Sequence, residues 1–186
     1  MACRLILASA SPRRQELLEQ MGLAFTVVRP EVAEDLSGPP EEVVVELAAR
    51  KAEAVAAQHA GEVVLAADTL VAVGGQVLGK PCSLEDAGRM LALLSGKWHE
   101  VHTGVCVISP TARECGHAVT QVLFSSMTEG EIMSYCQSGE PMGKAGAYAI
   151  QGLGGMYVEQ IRGSYTNVVG LPTSLVRRML MNAKIM

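Results

Sequence analysis

At 186 residues the chain has the length of one domain, or one domain with two lobes, and it is long enough to bury a real core. Apolar residues make up 49% of it and aromatics only 4%, so the core is built mostly from Ala, Val and Leu, with Met filling gaps. The net charge of −4 argues against a general binder of nucleic-acid polymers and leaves room for a local basic cleft. Cys3, Cys82, Cys106, Cys115 and Cys136 show no C-x-x-C spacing, which argues against a disulfide framework or zinc site and fits a reducing compartment. Ala8-Ser9-Ala10 imitates a signal-peptidase site, but only Leu5 to Ala8 separates it from Arg4, too short for the roughly 7–15 apolar residues of a signal. No apolar run approaches the ~20 residues of a membrane span. The expectation is a soluble cytoplasmic protein with no membrane partner.

The first element is an apolar run, Leu5 to Ala8, that stops at Ser9-Ala-Ser-Pro-Arg-Arg14 before a helical pattern begins. Pro12 suits the first turn of a helix and Ser11 can cap it. Arg13 and Arg14 then sit at a helix N-terminus, where anions are already favoured, and look like a seat for phosphate. An ordinary strand–turn–helix with solvated arginines reads the same way. Glu31 to Pro40 is a loop after a second strand, and its Glu34 and Asp35 are either metal-binding carboxylates or simply solvated acids. From Glu41 to about His59, Val44, Leu47, Ala48 and Val55 recur at helical spacing. Lys51 lies in that helix, and pattern alone reads it as a solvated lysine.

Val63 to Ala67 is a continuous apolar run, typical of a strand buried on both faces. Asp68-Thr69 follows directly, at the carboxyl end where α/β sheets place ligand-contacting groups, so Asp68 could hold a hard cation, activate water, or satisfy a turn. Leu70 to Val73 and Gln76 to Leu78 read as a hairpin around Gly74-Gly75. Gly74 to Lys80 begins like the phosphate-binding pattern G-x-x-x-x-G-K, but Pro81 stands where Ser or Thr is needed and the hairpin context is wrong. Lys80, held between Gly79 and Pro81, can still meet a phosphate as a point charge.

Ser83 to Asp86 opens a helix running to about Leu94, before Gly96. Val101 to Ile108 and Ala118 to Phe124 read as strands around a turn at Pro110. His99 and His102 would point to opposite faces there, which disfavours a shared metal. Thr128 with Glu131 opens another helix, ending near Gly139. Gly139 to Gly155 holds six glycines, with Lys144 and Gln151, and suggests a backbone that closely approaches a ligand. The Gln151 amide has both the donor and the acceptor that reading a nucleobase edge requires, though a structural loop with a buried amide fits as well. Gly155 to Ile161 and Tyr165 to Val169 look strand-like, and Pro172 starts a last helix. Hairpins mixed with crossovers predict an α/β fold on a mixed twisted sheet with flanking helices.

Together these segments resemble the Maf family of nucleoside-triphosphate pyrophosphatases. The resemblance runs through Ser9-Ala-Ser-Pro-Arg-Arg, Ala67-Asp-Thr-Leu-Val, Gly79-Lys-Pro, His102-Thr-Gly104, Glu140-Pro-Met-Gly-Lys-Ala-Gly-Ala-Tyr-Ala-Ile-Gln-Gly and Asn167-Val-Val-Gly-Leu-Pro. It implies hydrolysis of a nucleoside triphosphate to the monophosphate and pyrophosphate with a divalent cation, Mg2+ or Mn2+, and a house-cleaning role against non-standard nucleotides. It also implies residues 1–186 forming one domain with two lobes around a deep cleft, similar to inosine-triphosphate pyrophosphatases and often dimeric.

By the same resemblance Asp68 is the proton acceptor, and Arg13, Thr69 and Gln151 set substrate preference, with the identities of the dTTP/UTP branch. Arg13, Lys51 and Lys80 would hold the triphosphate and offset charge on the leaving pyrophosphate, with Arg14 and Ser9 adding phosphate contacts. Asp68 and Glu34 would hold the metal. The chain departs from the family at Ala33 and Gly143, where aspartates are common, which implies weakened metal affinity or turnover. The competing readings are a preference for 7-methyl-GTP and a weakly catalytic nucleotide-binding regulator of cell division.

Overall fold

The computed structural model describes residues 4–186, and Cys3 lies outside them. In chain order the elements are β1 (Leu5–Ala8), α1 (Pro12–Gln20), β2 (Phe25–Val28), α2 (Pro40–Ala56), β3 (Val63–Val73), β4 (Gln76–Leu78), α3 (Leu84–Leu94), β5 (Trp98–Ile108) and β6 (Arg113–Phe124). They continue with α4 (Glu129–Gln137), β7 (Val158–Arg162), α5 (Tyr165–Val169) and α6 (Thr173–Asn182). Short 3-10 turns cover Ala145–Ala147 and Leu153–Tyr157. The strands pair in the order β2-β1-β3-β5-β6-β7, with β4 attached to β3. Pairing is parallel across β2, β1 and β3 and antiparallel at β3–β4 and β6–β7, which is the mixed sheet the sequence predicts.

Two compact units divide the chain. The first comprises the chain up to Asp68, Thr103–Ala118 and Gly170–Met186. Its centre is β1, whose four residues are all buried because neighbours pair with it on both edges. Ala8, the last residue of β1, is level with Val28 and with Ala66. The loops leaving β1 and β2 therefore start from the same carboxyl edge that β3 crosses. Helix α2 lays Ala48, Ala49, Ala52 and Val55 against Ile6, Ala8, Val64, Ala66 and Cys106. Gly104 on β5 touches this helix so closely that a Cβ there would lie 2.1 Å from the Val44 carbonyl oxygen. Only glycine lets β5 and α2 approach this far.

The second unit comprises Thr69–His102 and Val119–Val169. Its core gathers Leu78, Leu91, Leu94, Phe124, Tyr135 and Tyr148 around the amphipathic helix α3. The buried His99 ring stands edge-on to Phe124 and Tyr148, and its Nε2 pairs with the Tyr148 hydroxyl at 2.9 Å. Both predicted helix starts are present. Ser83 accepts from the Asp86 amide, and Thr128 with Glu131 forms a reciprocal capping box.

Three sequence expectations are corrected. The strand ending in Ala67 continues unbroken to Val73, so Asp68 and Thr69 lie inside β3 rather than in a turn after it. An internal strand carboxylate is tolerated because it has a buried ionic partner. Tyr165–Val169 is a short helix, not a strand: the Ser164 hydroxyl accepts from the Asn167 amide and starts a helical turn. Ser11 occupies the N-cap of α1 with extended backbone, but its side chain makes no capping hydrogen bond. Ser9 supplies the local contact, its Oγ accepting from the Ser11 amide at 3.2 Å.

Candidate active site

The first unit collects six of the predicted residues at the carboxyl edge of its parallel strands, the position from which α/β sheets present ligand-binding groups. Ser9 leaves β1, Arg13 and Arg14 occupy the first turn of α1, Glu34 lies in the loop after β2, and Asp68 sits two residues past the Ala8–Ala66 pairing. Lys51 comes from the middle of α2. It is not the solvated helix lysine that pattern alone predicts, being only 7% exposed. Its ammonium lies 2.5 Å from Asp68 Oδ1 and 2.6 Å from Glu34 Oε1. Asp68 is equally buried, while Glu34 is half-exposed. Burying a lysine is costly unless it is paired, and here two carboxylates share the charge.

The two arginines separate. The Arg14 guanidinium donates from Nε to the Gly170 carbonyl at 2.8 Å and from Nη1 to Ser9 Oγ at 3.2 Å, tying the start of α1 to the chain before α6. Burial pulls the Arg14 pKa below its ordinary value; Asp68 and Glu34 oppose the shift and Arg13 adds to it. Arg13 is half-buried and is likewise lowered by burial, with Glu16 opposing. Both remain cationic, and a partly desolvated guanidinium attracts a phosphate more strongly than a fully hydrated one.

Asp68 and Glu34 converge on one cation, the Lys51 ammonium. Among the described residues no group of three or more His, Cys, Asp and Glu side chains is placed to hold a metal ion. Two carboxylates, with water and phosphate oxygens filling the other positions, are nonetheless the donor set that Mg2+ takes, so the pair fits such an ion.

The second unit carries Thr69, Lys80 and Gln151. Thr69 is half-buried on β3, and Lys80 is exposed just past β4, where the Gly146 amide donates to the Gly79 carbonyl at 3.0 Å. Gln151 is exposed in a tight turn closed by the Gly152 amide and the Ala149 carbonyl, so the buried-amide alternative is excluded. The six neighbouring glycines have reasons internal to the protein. Gly139, Gly143 and Gly146 take left-handed backbone, and a Cβ on Gly152, Gly154 or Gly155 would strike Glu140, Tyr135 or the Ile150 carbonyl. At Gly152, Gly154 and Gly155 the absence of a Cβ thus answers to close internal packing. Gly143 is exposed with nothing within 4 Å of a Cβ, so aspartate has room there but must adopt a backbone with φ +73.

Sequence reasoning assigned no role to Glu140 and Tyr135, which hold this segment. Glu140 accepts from the Leu153 and Gly154 amides, both at 2.9 Å, and from the Tyr135 hydroxyl at 2.7 Å. The one readable signal was Gly152-x-Gly154, two glycines spaced to admit those side chains.

A family model described as Maf-like protein matches residues 4–183. The chain belongs to the Maf family. Among curated Maf relatives, the dTTP/UTP pyrophosphatase of Anaeromyxobacter dehalogenans is 53% identical over 190 residues, covering 98% of this chain and 95% of that protein. The dTTP/UTP pyrophosphatase of Deinococcus radiodurans is 48% identical over 183 residues, covering 98% and 94%. The dTTP/UTP pyrophosphatase of Thermococcus kodakarensis is 46% identical over 177 residues, covering 94% of each chain. Among solved structures, the Staphylococcus aureus Ham1 protein superposes with a TM-score of 0.58 at 14% identity, covering 96% of this chain and 98% of that one. This last likeness shows that the Maf chain shares its mixed α/β fold with Ham1. No helix among the described residues is long and apolar enough to cross a membrane.

Proposed function

We propose that this Maf protein hydrolyses dTTP and UTP to the monophosphate and pyrophosphate, with residues 1–186 acting as one domain of two lobes. The observation that carries the reading is the buried Lys51–Asp68 pair at the carboxyl edge of the parallel strands, with Arg14 of α1 near enough for Asp68 and Glu34 to act on its charge. It is supported by relatives at 46–53% identity that are dTTP/UTP pyrophosphatases.

In the proposed reaction a water oxygen bonds to the α-phosphorus, the bond from that phosphorus to the bridging oxygen breaks, and pyrophosphate leaves. Asp68 takes the proton of the attacking water, and the ion pair with Lys51 orients that carboxylate. Arg13, Arg14 and the Ser9 hydroxyl hold phosphate oxygens at the N-terminus of α1, where the helix dipole also favours anions. Lys80 offsets charge developing on the leaving pyrophosphate. Asp68 and Glu34 would hold a divalent ion, Mg2+ or Mn2+, which when bound supplies charge neutralisation and orientation of the phosphates. Thr69 and Gln151, with Arg13, contact the nucleoside and set preference.

A panel of dTTP, UTP, CTP, GTP and 7-methyl-GTP tests the reading, with pyrophosphate release followed in Mg2+, in Mn2+ and in EDTA. The expected result is a kcat/KM for dTTP and UTP at least about 10-fold above 7-methyl-GTP, the scale a few differential hydrogen bonds supply, and no release in EDTA. A preference for 7-methyl-GTP, or turnover indifferent to chelation, contradicts it.

A further inference from the structure

The turn that carries Gln151 is held by side chains remote from it in sequence. Ala149 and Gly152 close the turn, and Ile150 and Gln151 occupy its centre. On one flank the Ala149 amide donates to the Tyr135 hydroxyl at 3.2 Å. On the other, Glu140 Oε2 accepts from the Leu153 amide and Oε1 from the Gly154 amide, capping the 3-10 turn that starts there. The Tyr135 hydroxyl donates to the same Oε1, so both flanks meet in one carboxylate–phenol pair. Lys144 fixes the main chain of that carboxylate, its ammonium donating to the Glu140 carbonyl at 2.6 Å.

The fit is close. A Cβ on Gly152 would lie 2.1 Å from Glu140 Oε2, and one on Gly154 would lie 2.5 Å from the Tyr135 hydroxyl. The pair therefore occupies the space beneath the turn while the Gln151 residue is exposed above it. Burial works against the Glu140 charge, but the Gly154 amide, the Tyr135 hydroxyl, the Leu153 amide and Lys144 outweigh it and hold the carboxyl below its usual pKa. Three donors on one carboxylate also make glutamine a poor substitute, because its NH2 would have to face an N–H.

We infer that Glu140, braced by Tyr135, is a positioning residue that fixes the Gln151 turn and thereby sets discrimination among nucleobases. This rests on the proposed reading of Gln151 as a base-contacting side chain. Glu140 touches no substrate; it acts by holding the backbone that presents the amide.

The test compares kcat and KM for dTTP and GTP in the wild type, Glu140→Gln, Tyr135→Phe, Gln151→Ala and the double variant Glu140→Gln/Gln151→Ala, with thermal unfolding run on each. Glu140→Gln is expected to lower kcat/KM for dTTP about 10- to 100-fold, the scale of an ångström-level misplacement. The loss falls mainly in KM, and the GTP value changes little, so the dTTP/GTP ratio collapses. Tyr135→Phe shifts the ratio in the same direction by a smaller factor, and the double variant is no worse than Gln151→Ala alone. A folded Glu140→Gln with the wild-type ratio, while Gln151→Ala loses it, overturns the positioning role. If Glu140→Gln does not fold, an unchanged ratio in Tyr135→Phe overturns it instead. An unchanged ratio in Gln151→Ala overturns the reading of Gln151 itself, and the inference with it.

Discussion

Asp68→Asn is expected to lower kcat for dTTP by about 10²–10⁴-fold, the range over which a positioned general base contributes. The change keeps the shape of the side chain and removes its charge. Three consequences follow from where Asp68 sits. An amide cannot take the proton of the attacking water. It is a weaker oxygen donor for a divalent ion shared with Glu34. It also leaves the Lys51 ammonium with one carboxylate partner instead of two, since Glu34 still lies 2.6 Å away. The cationic groups that hold the triphosphate are untouched, so KM for dTTP is expected to stay within about threefold, as it does when a removed interaction acts in the transition state. Steady-state pyrophosphate release with calorimetric titration of dTTP measures both quantities. Turnover within a few-fold of the wild type would remove Asp68 from the chemistry, whereas tight dTTP binding with no release of pyrophosphate by either protein would favour a binding protein.

Lys51→Met is expected to cost both activity and stability. Methionine fills similar volume, but it leaves Asp68 buried without the ammonium that pairs it, and removes the cation it shares with Glu34. Removing one partner of a buried ion pair costs about 3–5 kcal/mol, and the half-exposed Glu34, which water can solvate, sets the expectation near the lower end, about 3 kcal/mol. Urea unfolding reads this as a lower midpoint at unchanged slope. The double variant Lys51→Met/Asp68→Asn separates charge imbalance from lost packing. If imbalance dominates, the double variant recovers more than half of the loss. A double variant less stable than Lys51→Met alone would contradict the ion-pair account. Neither variant is expected to release pyrophosphate at more than about one hundredth of the wild-type rate.

Much of this arrangement was legible in the chain because its signals are local. Ser9 to Arg14 announces a strand passing into a helix N-terminus, and Pro12 indeed begins α1. Ser83 with Asp86 and Thr128 with Glu131 mark helix starts within four residues, and both caps form. Asp68 stood out because a carboxylate directly after a continuous apolar run is unusual. What stayed hidden depends on residues far apart in sequence. Lys51 looks like any lysine of an amphipathic helix; its burial is decided by Asp68, seventeen residues later, and by a loop acid on the other side. The same pairing lets β3 run through Asp68, where pattern alone stops the strand. The glycines of the Gln151 segment pointed toward a ligand, although the atoms that exclude a Cβ at Gly152 and Gly154 belong to Glu140 and Tyr135. Glycine spacing records that something comes close. It does not record what.

The central claim is that water attacks the α-phosphorus of a nucleoside triphosphate at the Asp68 site. Turnover of dTTP in water enriched in oxygen-18, with products resolved by phosphorus NMR, tests it most directly. The account predicts one labelled oxygen in dTMP, none in pyrophosphate, and no dTDP. Label in pyrophosphate, or the appearance of dTDP with labelled phosphate, would place the attack at another phosphorus and contradict it.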